Sequence, residues 1–259
     1  MKGAVPSPRS GRDGEGEPDA LEVDTIAAAP PILSLRFAPP SLPPGFVVRS
    51  RIDEMLDAAR GGDVTLVCAG AGYGKTLAVA AWAQSVHRLD RTAWLAAGEG
   101  VGVAAFWHDV IVALRMLPVV ADEARIAEFM PGPAFGDSDV AGLVDALSSL
   151  PETVTLVIDD FHRLTSVDLL KSIHRVIECG VLTVHLVLVS RVEPRIPLRR
   201  LQVMGRLREI DAAVLAFTPR EAEDLCARIG FELDPESWER LMNRTQGWPA
   251  GIRLALLSA

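Results

Sequence analysis

The stretch AGAGYGKT, residues 69–76, follows the apolar run VTLVC and precedes LAVAAWAQSV, whose apolar residues have helical spacing. Glycine allows positive φ and has no β-carbon, so closely spaced glycines let the backbone curl until successive N–H groups point into one concavity. The N-terminal dipole of the following helix favours negative charge at the same place. Lys75 adds a positive charge, and Thr76 adds a hydroxyl that suits Mg²⁺. The sequence therefore predicts a phosphate-binding loop between a strand and a helix.

The loop matches the pattern G-x-x-x-x-G-K-[ST], except that Ala69 takes the place of the first glycine. A dinucleotide fingerprint starting at Gly70 would need glycine where Lys75 stands, and no acidic residue opens a following strand at the required distance. A glycine turn without a ligand does not account for the Lys-Thr pair in register with the strand and the helix. We therefore predict that a nucleoside triphosphate contacts Ala69, Gly70, Ala71, Gly72, Tyr73, Gly74, Lys75 and Thr76.

The composition restricts the class of protein. The chain has 259 residues, 49% hydrophobic and 23% charged, as expected for a globular protein with a sizeable core. Cys68, Cys179 and Cys226 are odd in number and widely spaced, which argues against a disulfide framework or a zinc site. The N-terminus has no secretory pattern and no apolar run is long enough to span a bilayer, so we expect a cytoplasmic protein without a membrane partner. A net charge of −8 argues against a general nucleic-acid-binding surface.

The pattern of residues changes twice along the chain. Residues 1–44 are rich in proline, glycine and acidic residues without a sustained period, which predicts a disordered tail. Residues 45–215 alternate short β-branched runs with amphipathic stretches, which predicts an α/β P-loop NTPase domain whose parallel sheet carries helices on both faces. Strands are expected near 64–69, 92–96, 153–159, 184–190 and 206–210. Residues 216–259 hold three helical patterns without a strand, which predicts a small helical lid.

The buried run VTLVID ends in two consecutive carboxylates, Asp159 and Asp160, at the edge where open α/β sheets bind ligands. In P-loop enzymes an aspartate at this strand end holds Mg²⁺, and a neighbouring carboxylate orients or deprotonates the attacking water. We therefore assign Asp159, with Thr76, to the metal and Asp160 to the water. The alternative is that one of the two aspartates caps the next helix. His162 is expected to be a hydrogen-bonded structural residue.

A second buried run, VHLVLVS, is followed by Arg191. An arginine at this edge faces the γ-phosphate in many nucleotide hydrolases, where its fork of donors registers the terminal phosphate. We therefore group Arg191 with Lys75 and Asp160 as the candidate catalytic residues. Because residues 191–208 contain six arginines, a solvated or partner-binding basic face is the alternative.

Several motifs together carry a family resemblance. They are AGYGKT, AWLAAGEGVGVAAFWHDVIVAL, LVIDDFHRL, LVLVSR, LAFTPREAEDL and GWPAGIRLALLSA, in this order along residues 45–259. The chain resembles the ATPase module of the large ATP-binding LuxR-type transcriptional regulators, which are signal-transduction ATPases with numerous domains. AGYGKT alone is shared by many P-loop proteins, so the specific part of the likeness is IDDFH together with TQGWPAGIRLALL.

The resemblance implies a regulatory switch that binds ATP or ADP with Mg²⁺ and hydrolyses ATP slowly. It also implies two further nucleotide contacts. Pro249 of the Gly-Trp-Pro motif would pack on the adenine, and Arg49 of VVRSR would lie near the nucleotide, with Arg51 as the alternative. A proline that only initiates a helix is the alternative for Pro249. The segment WLAAGEG lacks the aspartate that the family usually has after its second strand, so no role is carried over to that position.

Relatives of this kind are longer and continue into a winged-helix segment, a helical-repeat sensor and a helix-turn-helix. This chain stops at Ala259, so we expect protein partners or missing downstream domains, and no specific DNA binding by the chain alone. Two other classes stay open. One is a remodelling ATPase of the AAA+ class that uses Arg253 as a sensor in its lid. The other is a nucleic-acid-binding protein that uses the arginines of residues 191–208.

Overall fold

The computed structural model describes residues 1, 34–85, 88–121, 124–132 and 135–258. The chain divides into two compact units, Met1–Pro30 and Pro31–Ala259. Apart from Met1, the first unit lies outside the described residues, and so does the part of the predicted tail from residue 2 to residue 33. All the elements that follow belong to the second unit.

Five parallel strands form one sheet in the order β2-β3-β4-β1-β5. They are β1 (Val64–Cys68), β2 (Thr92–Ala96), β3 (Val154–Asp159), β4 (Val184–Ser190) and β5 (Leu207–Ile210). Strand β1 is an interior strand, because it pairs with β4 on one side and β5 on the other. The predicted strands and their parallel arrangement are confirmed.

Helices connect the strands and form the C-terminal lid. The α-helices are α1 (Ser50–Asp57), α2 (Lys75–Ala83), α3 (Val103–Arg115), α4 (Pro118–Ala121), α5 (Ala124–Glu128), α6 (Asp137–Ser148), α7 (Val167–Cys179), α8 (Arg199–Val203), α9 (Ala212–Leu215), α10 (Pro219–Arg228), α11 (Pro235–Thr245) and α12 (Pro249–Leu257). Short 3₁₀-helices span Ser34–Phe37, Leu89–Arg91 and Phe161–Arg163. Within the described residues, no helix has both the length and the apolar character needed to cross a membrane.

Alternate residues of the strands face two separate hydrophobic cores. Leu66 and Leu188 pack on one face of the sheet with residues of α3, α6 and α7. Val67 and Val187 pack on the other face with residues of α1 and α2. Helices therefore cover both faces of the sheet, as predicted, and this explains why the central strands read as continuous apolar runs.

The lid helices have a smaller core of their own. Leu225 of α10, Leu241 of α11 and Ile252 of α12 are buried together, and Val47 from the segment before α1 is buried with them. Each of the three helices begins with a proline, a residue whose fixed φ and missing N–H suit the first helical position. At α10 the side chain of Thr218 accepts a hydrogen bond from the N–H of the third residue, which helps to fix the helix start.

Residues 34–44, the described part of the predicted tail, contact the sheet domain. Arg36 Nη2 lies 2.9 Å from Asp109 Oδ2 of α3. Phe37 packs against one core of the sheet and Leu42 against the other. The proline-rich composition of this segment predicted disorder and gave no sign of these contacts, whose partners lie far along the chain.

Candidate nucleotide-binding site

The loop between β1 and α2 has the tight geometry that its glycines predict. Gly72 and Gly74 have φ values of 80° and 71°, in the left-handed region that favours glycine. Ala69 is not among the described non-glycine residues with positive φ, so its β-carbon is tolerated where the pattern has glycine. Gly74 directly precedes Lys75, the first residue of α2. The loop therefore turns onto a helix N-terminus, a place that favours anions.

Lys75 lies inside the loop with its ammonium group buried. Its Nζ donates to the carbonyl oxygen of Gly70 at 2.8 Å, and the residue is only 8% exposed. Burial and the nearby charge of Arg191 lower the pKa of Lys75. Within the described part of the chain, no carboxylate forms an ion pair with this ammonium group. A buried ammonium without a counter-ion is unfavourable, and a phosphate would supply the missing charge.

Thr76 and Asp159 lie side by side, as expected for residues that share a magnesium ion. Thr76 Oγ1 donates to Asp159 Oδ1 at 3.0 Å, and the same oxygen accepts the N–H of Asp160 at 2.8 Å. Asp159 is 7% exposed, and burial raises its pKa above the usual value. A nearby cation would favour the charged form of such a carboxylate.

A hydroxyl and a carboxylate are hard oxygen ligands that suit Mg²⁺. The described residues contain no group of three His, Cys, Asp or Glu side chains able to hold a metal ion. A magnesium ion at Thr76 and Asp159 would therefore take its remaining ligands from phosphate oxygens and water, which is how Mg²⁺ is commonly bound at phosphate sites.

Asp160 follows Asp159 with an unusual backbone conformation. Its φ is 52°, in the left-handed region, and non-glycine residues held there are often found at functional sites. Its Oδ2 lies 3.3 Å from Arg163 Nε. The alternative role as a cap of α7 is not supported, since the side chain of Ser166 caps that helix and Asp160 makes no capping bond. Asp160 is thus left at the sheet edge beside the residue assigned to the metal.

His162 differs from its prediction as a hydrogen-bonded structural residue. Its Nδ1 is buried and has no hydrogen-bond partner among the described residues. Burial lowers the pKa of His162, although the nearby Asp160 carboxylate acts in the opposite direction. The neutral ring therefore lies beside Asp160 with an unsatisfied nitrogen.

Arg191 is exposed at the end of β4 and near the loop. The preceding residue, Ser190, accepts the N–H of Ala69 at 3.3 Å, which places Arg191 beside the start of the loop. The charge of Arg191 contributes to the lowered pKa values of Lys75 and His162. Other arginines of residues 191–208 already have partners: Arg206 donates to the Gly62 carbonyl at 3.0 Å, and Arg200 lies 3.5 Å from Glu178. The segment is therefore not a uniform row of free guanidinium groups, and Arg191 is the one at the candidate site.

Arg49 supports the loop from behind. It is 4% exposed, and its Nη2 donates to the Gly74 carbonyl at 2.9 Å while its Nη1 donates to the Leu215 carbonyl at 3.0 Å. Burial lowers the pKa of Arg49 to about 10. Its Nε is buried without a hydrogen-bond partner in the described residues, so this guanidinium still has a donor to offer.

Arg51, the alternative to Arg49, binds the lid instead. Its Nε and Nη2 donate to the two carboxylate oxygens of Glu221, each at 2.9 Å, in the bidentate geometry typical of arginine. Sequence reasoning missed Glu221 as an attachment point of the lid. Its position three residues after Thr218 indicated a capping box, but nothing in the sequence pointed to a partner 170 positions away.

A pocket of about 250 Å³ lies between the loop and the lid. Its lid side includes Phe217, Pro249 and Arg253, and its other side includes Gly72 and Arg49. Most of the lining is apolar, which suits a flat base. Pro249 is also the first residue of α12, so both interpretations of this proline agree with the structure.

Comparison with known proteins identifies relatives of the chain. No family model matches it. The serine/threonine-protein kinase PknK of Mycobacterium tuberculosis (strain CDC 1551 / Oshkosh) is 28% identical over 234 residues, which cover 88% of this chain and 21% of PknK. The HTH-type transcriptional regulator MalT of Cronobacter sakazakii is 28% identical over 217 residues, which cover 82% of this chain and 24% of MalT. The crystal structure of PH0952 from Pyrococcus horikoshii, a signal transduction ATPase with numerous domains that has a tetratricopeptide repeat sensor, matches with a TM-score of 0.62.

The resemblance to the ATPase module of LuxR-type regulators is confirmed. The PH0952 match has 17% sequence identity and covers 82% of this chain and 30% of PH0952, so it establishes the P-loop ATPase fold alone. The chain spans about a quarter or less of the length of PknK and MalT. The kinase and transcriptional functions in the names of PknK and MalT therefore describe those longer proteins.

Proposed function

We propose that the chain is the nucleotide-binding module of a regulatory switch, which binds ATP or ADP with Mg²⁺ between the sheet edge and the lid and hydrolyses ATP slowly. One observation carries the proposal: among the described residues no carboxylate forms an ion pair with the buried ammonium of Lys75, while the nearby Asp159 carboxylate is buried and has a raised pKa. The Lys75 ammonium would be stabilised by a bound anion, and the Asp159 carboxylate by a bound cation. A magnesium nucleotide supplies both.

In this proposal the residues of the site divide the work. Lys75 and the loop N–H groups hold the phosphates, and Thr76 and Asp159 hold the metal. Mg²⁺, when bound, neutralises charge that develops on the phosphate oxygens. Asp160 orients the attacking water and accepts its proton, and Arg191 contacts the terminal phosphate. Pro249 packs on the base, and Arg49 keeps the loop in place.

Calorimetric titration with ATP and ADP in the presence of Mg²⁺ tests the proposal. The unmodified chain should bind both nucleotides, and Lys75→Ala should bind them about a hundredfold more weakly, because the charge-assisted hydrogen bonds to the phosphates are lost. Lys171→Ala is the matched control, since that lysine lies on α7 with its side chain 69% exposed. Absence of binding by the unmodified chain, or equal affinity of Lys75→Ala, would contradict the proposal.

The metal assignment has its own test. Asp159→Ala should reduce the difference between ATP affinities measured with Mg²⁺ and with a chelator, because the variant lacks a ligand of the metal. The unmodified chain should show a clear difference in the same titration. An unchanged difference in Asp159→Ala would remove Asp159 from the metal site.

We also propose that the chain acts on protein partners or on further domains and does not recognise a DNA sequence by itself. Sequence-specific recognition needs an element that presents several side chains to base edges, and we assign no such element to the described residues. A gel-shift titration over a series of salt concentrations, with random duplex DNA as competitor, should show at most weak binding that salt abolishes. Retention of a subset of sequences at high salt would favour the arginines of residues 191–208 as a nucleic-acid surface.

The lid position of Arg253 in the nucleotide pocket favours a second candidate, a remodelling ATPase of the AAA+ class. Such an enzyme completes its site with an arginine from a neighbouring subunit. Its turnover per molecule would therefore rise steeply as the concentration of the chain is raised. A switch module that hydrolyses ATP within one chain should show turnover independent of concentration.

A further inference from the structure

The consecutive carbonyl oxygens of the phosphate loop, residues 70–74, all accept hydrogen bonds. The domain itself supplies three of them. Lys75 Nζ donates to the Gly70 carbonyl at 2.8 Å, while Arg49 donates to the carbonyls of Tyr73 at 3.3 Å and Gly74 at 2.9 Å. These bonds leave the two carbonyls in the middle of the loop to be held by something else.

The lid supplies both of the remaining donors. The indole Nε1 of Trp248 donates to the Ala71 carbonyl at 3.1 Å. The backbone N–H of Ala250 donates to the Gly72 carbonyl, also at 3.1 Å. All five carbonyls from Gly70 to Gly74 therefore have a donor, and the central pair depends on α12.

A peptide unit is planar and trans, so its N–H points away from its C=O. Fixing the Ala71 carbonyl therefore fixes the direction of the Gly72 N–H, and fixing the Gly72 carbonyl fixes the Tyr73 N–H. In a P-loop these N–H groups form the cradle for phosphate oxygens. Within the described residues, the N–H groups of residues 71–74 donate to no other part of the chain. They are thus oriented and free to bind an anion.

Two glycines leave room for the indole between the loop and the helix. A β-carbon on Gly72 would lie 2.7 Å from Trp248 Nε1 and 2.6 Å from the Ala250 β-carbon. A β-carbon on Gly251 would lie 2.5 Å from Trp248 Cε3 on the other side of the ring. Real β-carbons are essentially never found this close to other atoms, so the two glycines and the indole form one fitted contact.

We propose that Trp248 and Ala250 are positioning residues for phosphate binding, which orient the central N–H groups of the loop by holding their carbonyls. Attachment of α12 to the loop and affinity for phosphate are then coupled. A partner or domain that pulls α12 away weakens phosphate binding, and by reciprocity bound phosphate strengthens attachment of the lid. The inference rests on the proposed nucleotide function and assigns a regulatory contact to the same site.

Trp248→Phe tests the inference, because it keeps an aromatic ring and removes the indole donor together with the rest of the pyrrole ring. ADP affinity is measured by calorimetry, and adenosine affinity is measured by displacement of a fluorescent ADP analogue. ADP should bind about fivefold more weakly, as expected for one lost hydrogen bond, and adenosine should be unaffected because it has no phosphate. Trp107→Phe is the matched control. It removes the hydrogen bond of 2.9 Å that the Trp107 indole donates to Ser172 Oγ in the core, and neither residue belongs to the loop or the lid.

Gly251→Ala provides a second variant that does not alter the loop. Its added methyl displaces the indole from within α12, while alanine raises the intrinsic helix propensity of that segment. It should weaken ADP binding by a similar factor, about fivefold, with adenosine unchanged.

The outcomes separate the two proposals. If the unmodified chain binds no ADP, the nucleotide function itself is wrong. If it binds ADP, and Trp248→Phe binds ADP as tightly or loses adenosine affinity to the same degree, the lid does not position the loop. Trp107→Phe should lower thermal stability and leave the ratio of ADP to adenosine affinity unchanged. An altered ratio in this control would show that any loosening of the fold produces the effect, and it would overturn the inference.

Discussion

The phosphate loop at the sheet edge and the lid are held by contacts of different range. At the sheet edge, Lys75 binds a carbonyl five residues away in its own loop. In the lid, Glu221 is bound by Arg51 across 170 positions, and Trp248 reaches the Ala71 carbonyl across 177. The first kind of contact is encoded in a short motif, and the second exists only after the chain has folded.

Because of this difference, the residues assigned to the reaction and the contacts proposed to regulate it lie in separate parts of the molecule. The residues assigned to phosphate, metal and water lie on loops that a rigid parallel sheet positions. The lid is joined to them through an ion pair and a few hydrogen bonds, which are individually worth about 1 kcal/mol. Contacts of this size can be broken by a partner without unfolding the sheet, so in the proposed switch a change in the lid alters nucleotide binding while the residues assigned to catalysis stay in place.

The largest effect is expected at the sheet edge. Asp160→Ala should reduce ATP turnover at least about a hundredfold, because the group that activates the water is removed. Its ATP affinity should stay close to that of the unmodified chain. Asp168→Ala is the control, since this aspartate of α7 has a side chain that is 85% exposed. A parental turnover rate in Asp160→Ala would show that its role is misassigned.

A fall in pH should lower the free energy of unfolding through a buried histidine of the sheet, at a position outside the lid. His185 of β4 is buried, its Nε2 lies 2.8 Å from Thr65 Oγ1, and burial lowers its pKa to about 4. The unfolded chain takes up this proton near pH 6.5 and the folded chain only near pH 4, so stability should fall as the pH drops through that interval. The loss should approach about 3 kcal/mol.

His185→Asn should flatten this pH dependence, because asparagine does not titrate. Denaturant unfolding at a series of pH values measures it. His108→Gln is the control, since that histidine side chain is 56% exposed. An equally steep pH profile in His185→Asn would exclude the buried imidazole as the cause.

The smallest effect is expected at the ion pair of the lid. Burial alone raises the pKa of Glu221, but hydrogen bonds from Arg51 and from the Thr218 N–H lower it overall. The pair therefore stabilises the lid at neutral pH, and this contribution is lost as the pH falls below the usual glutamate range. Glu221→Gln should destabilise the lid by about 1 kcal/mol, measured by hydrogen exchange of α10.

Glu236→Gln is the matched control for the lid. Glu236 pairs with Arg240 on α11, where the two side chains are 80% and 64% exposed, so its removal should have little effect. Equal effects of the two substitutions would show that the Arg51–Glu221 pair is no stronger than an ordinary surface pair.

The sequence predicted the fold well because its signals are local. Short β-branched runs marked the strands, and helical patterns without a strand marked the lid. The sequence did not indicate that Phe37 and Leu42, which are partly buried, pack against residues distant in sequence. Composition over a short window carries no information about such partners.

The part of the candidate site that depends on short motifs was also predictable from the sequence. Lys75, Thr76 and Asp159 come together because the motif and the strand end meet at one edge of a parallel sheet. The unsatisfied nitrogen of His162 and the bond between Trp248 and the Ala71 carbonyl were not predictable. Both depend on how side chains meet across the fold, which neither spacing nor residue type specifies.

Hydrogen exchange with and without ATP and Mg²⁺ tests the central claim most directly, namely that the nucleotide lies between the sheet edge and the lid. Amide exchange reports local opening separately for each segment of the unmodified chain. We expect slower exchange both in the loop, residues 70–76, and in the lid, residues 247–253. Unchanged exchange in both segments, or slowing in only one of them, would contradict a site shared by the two regions.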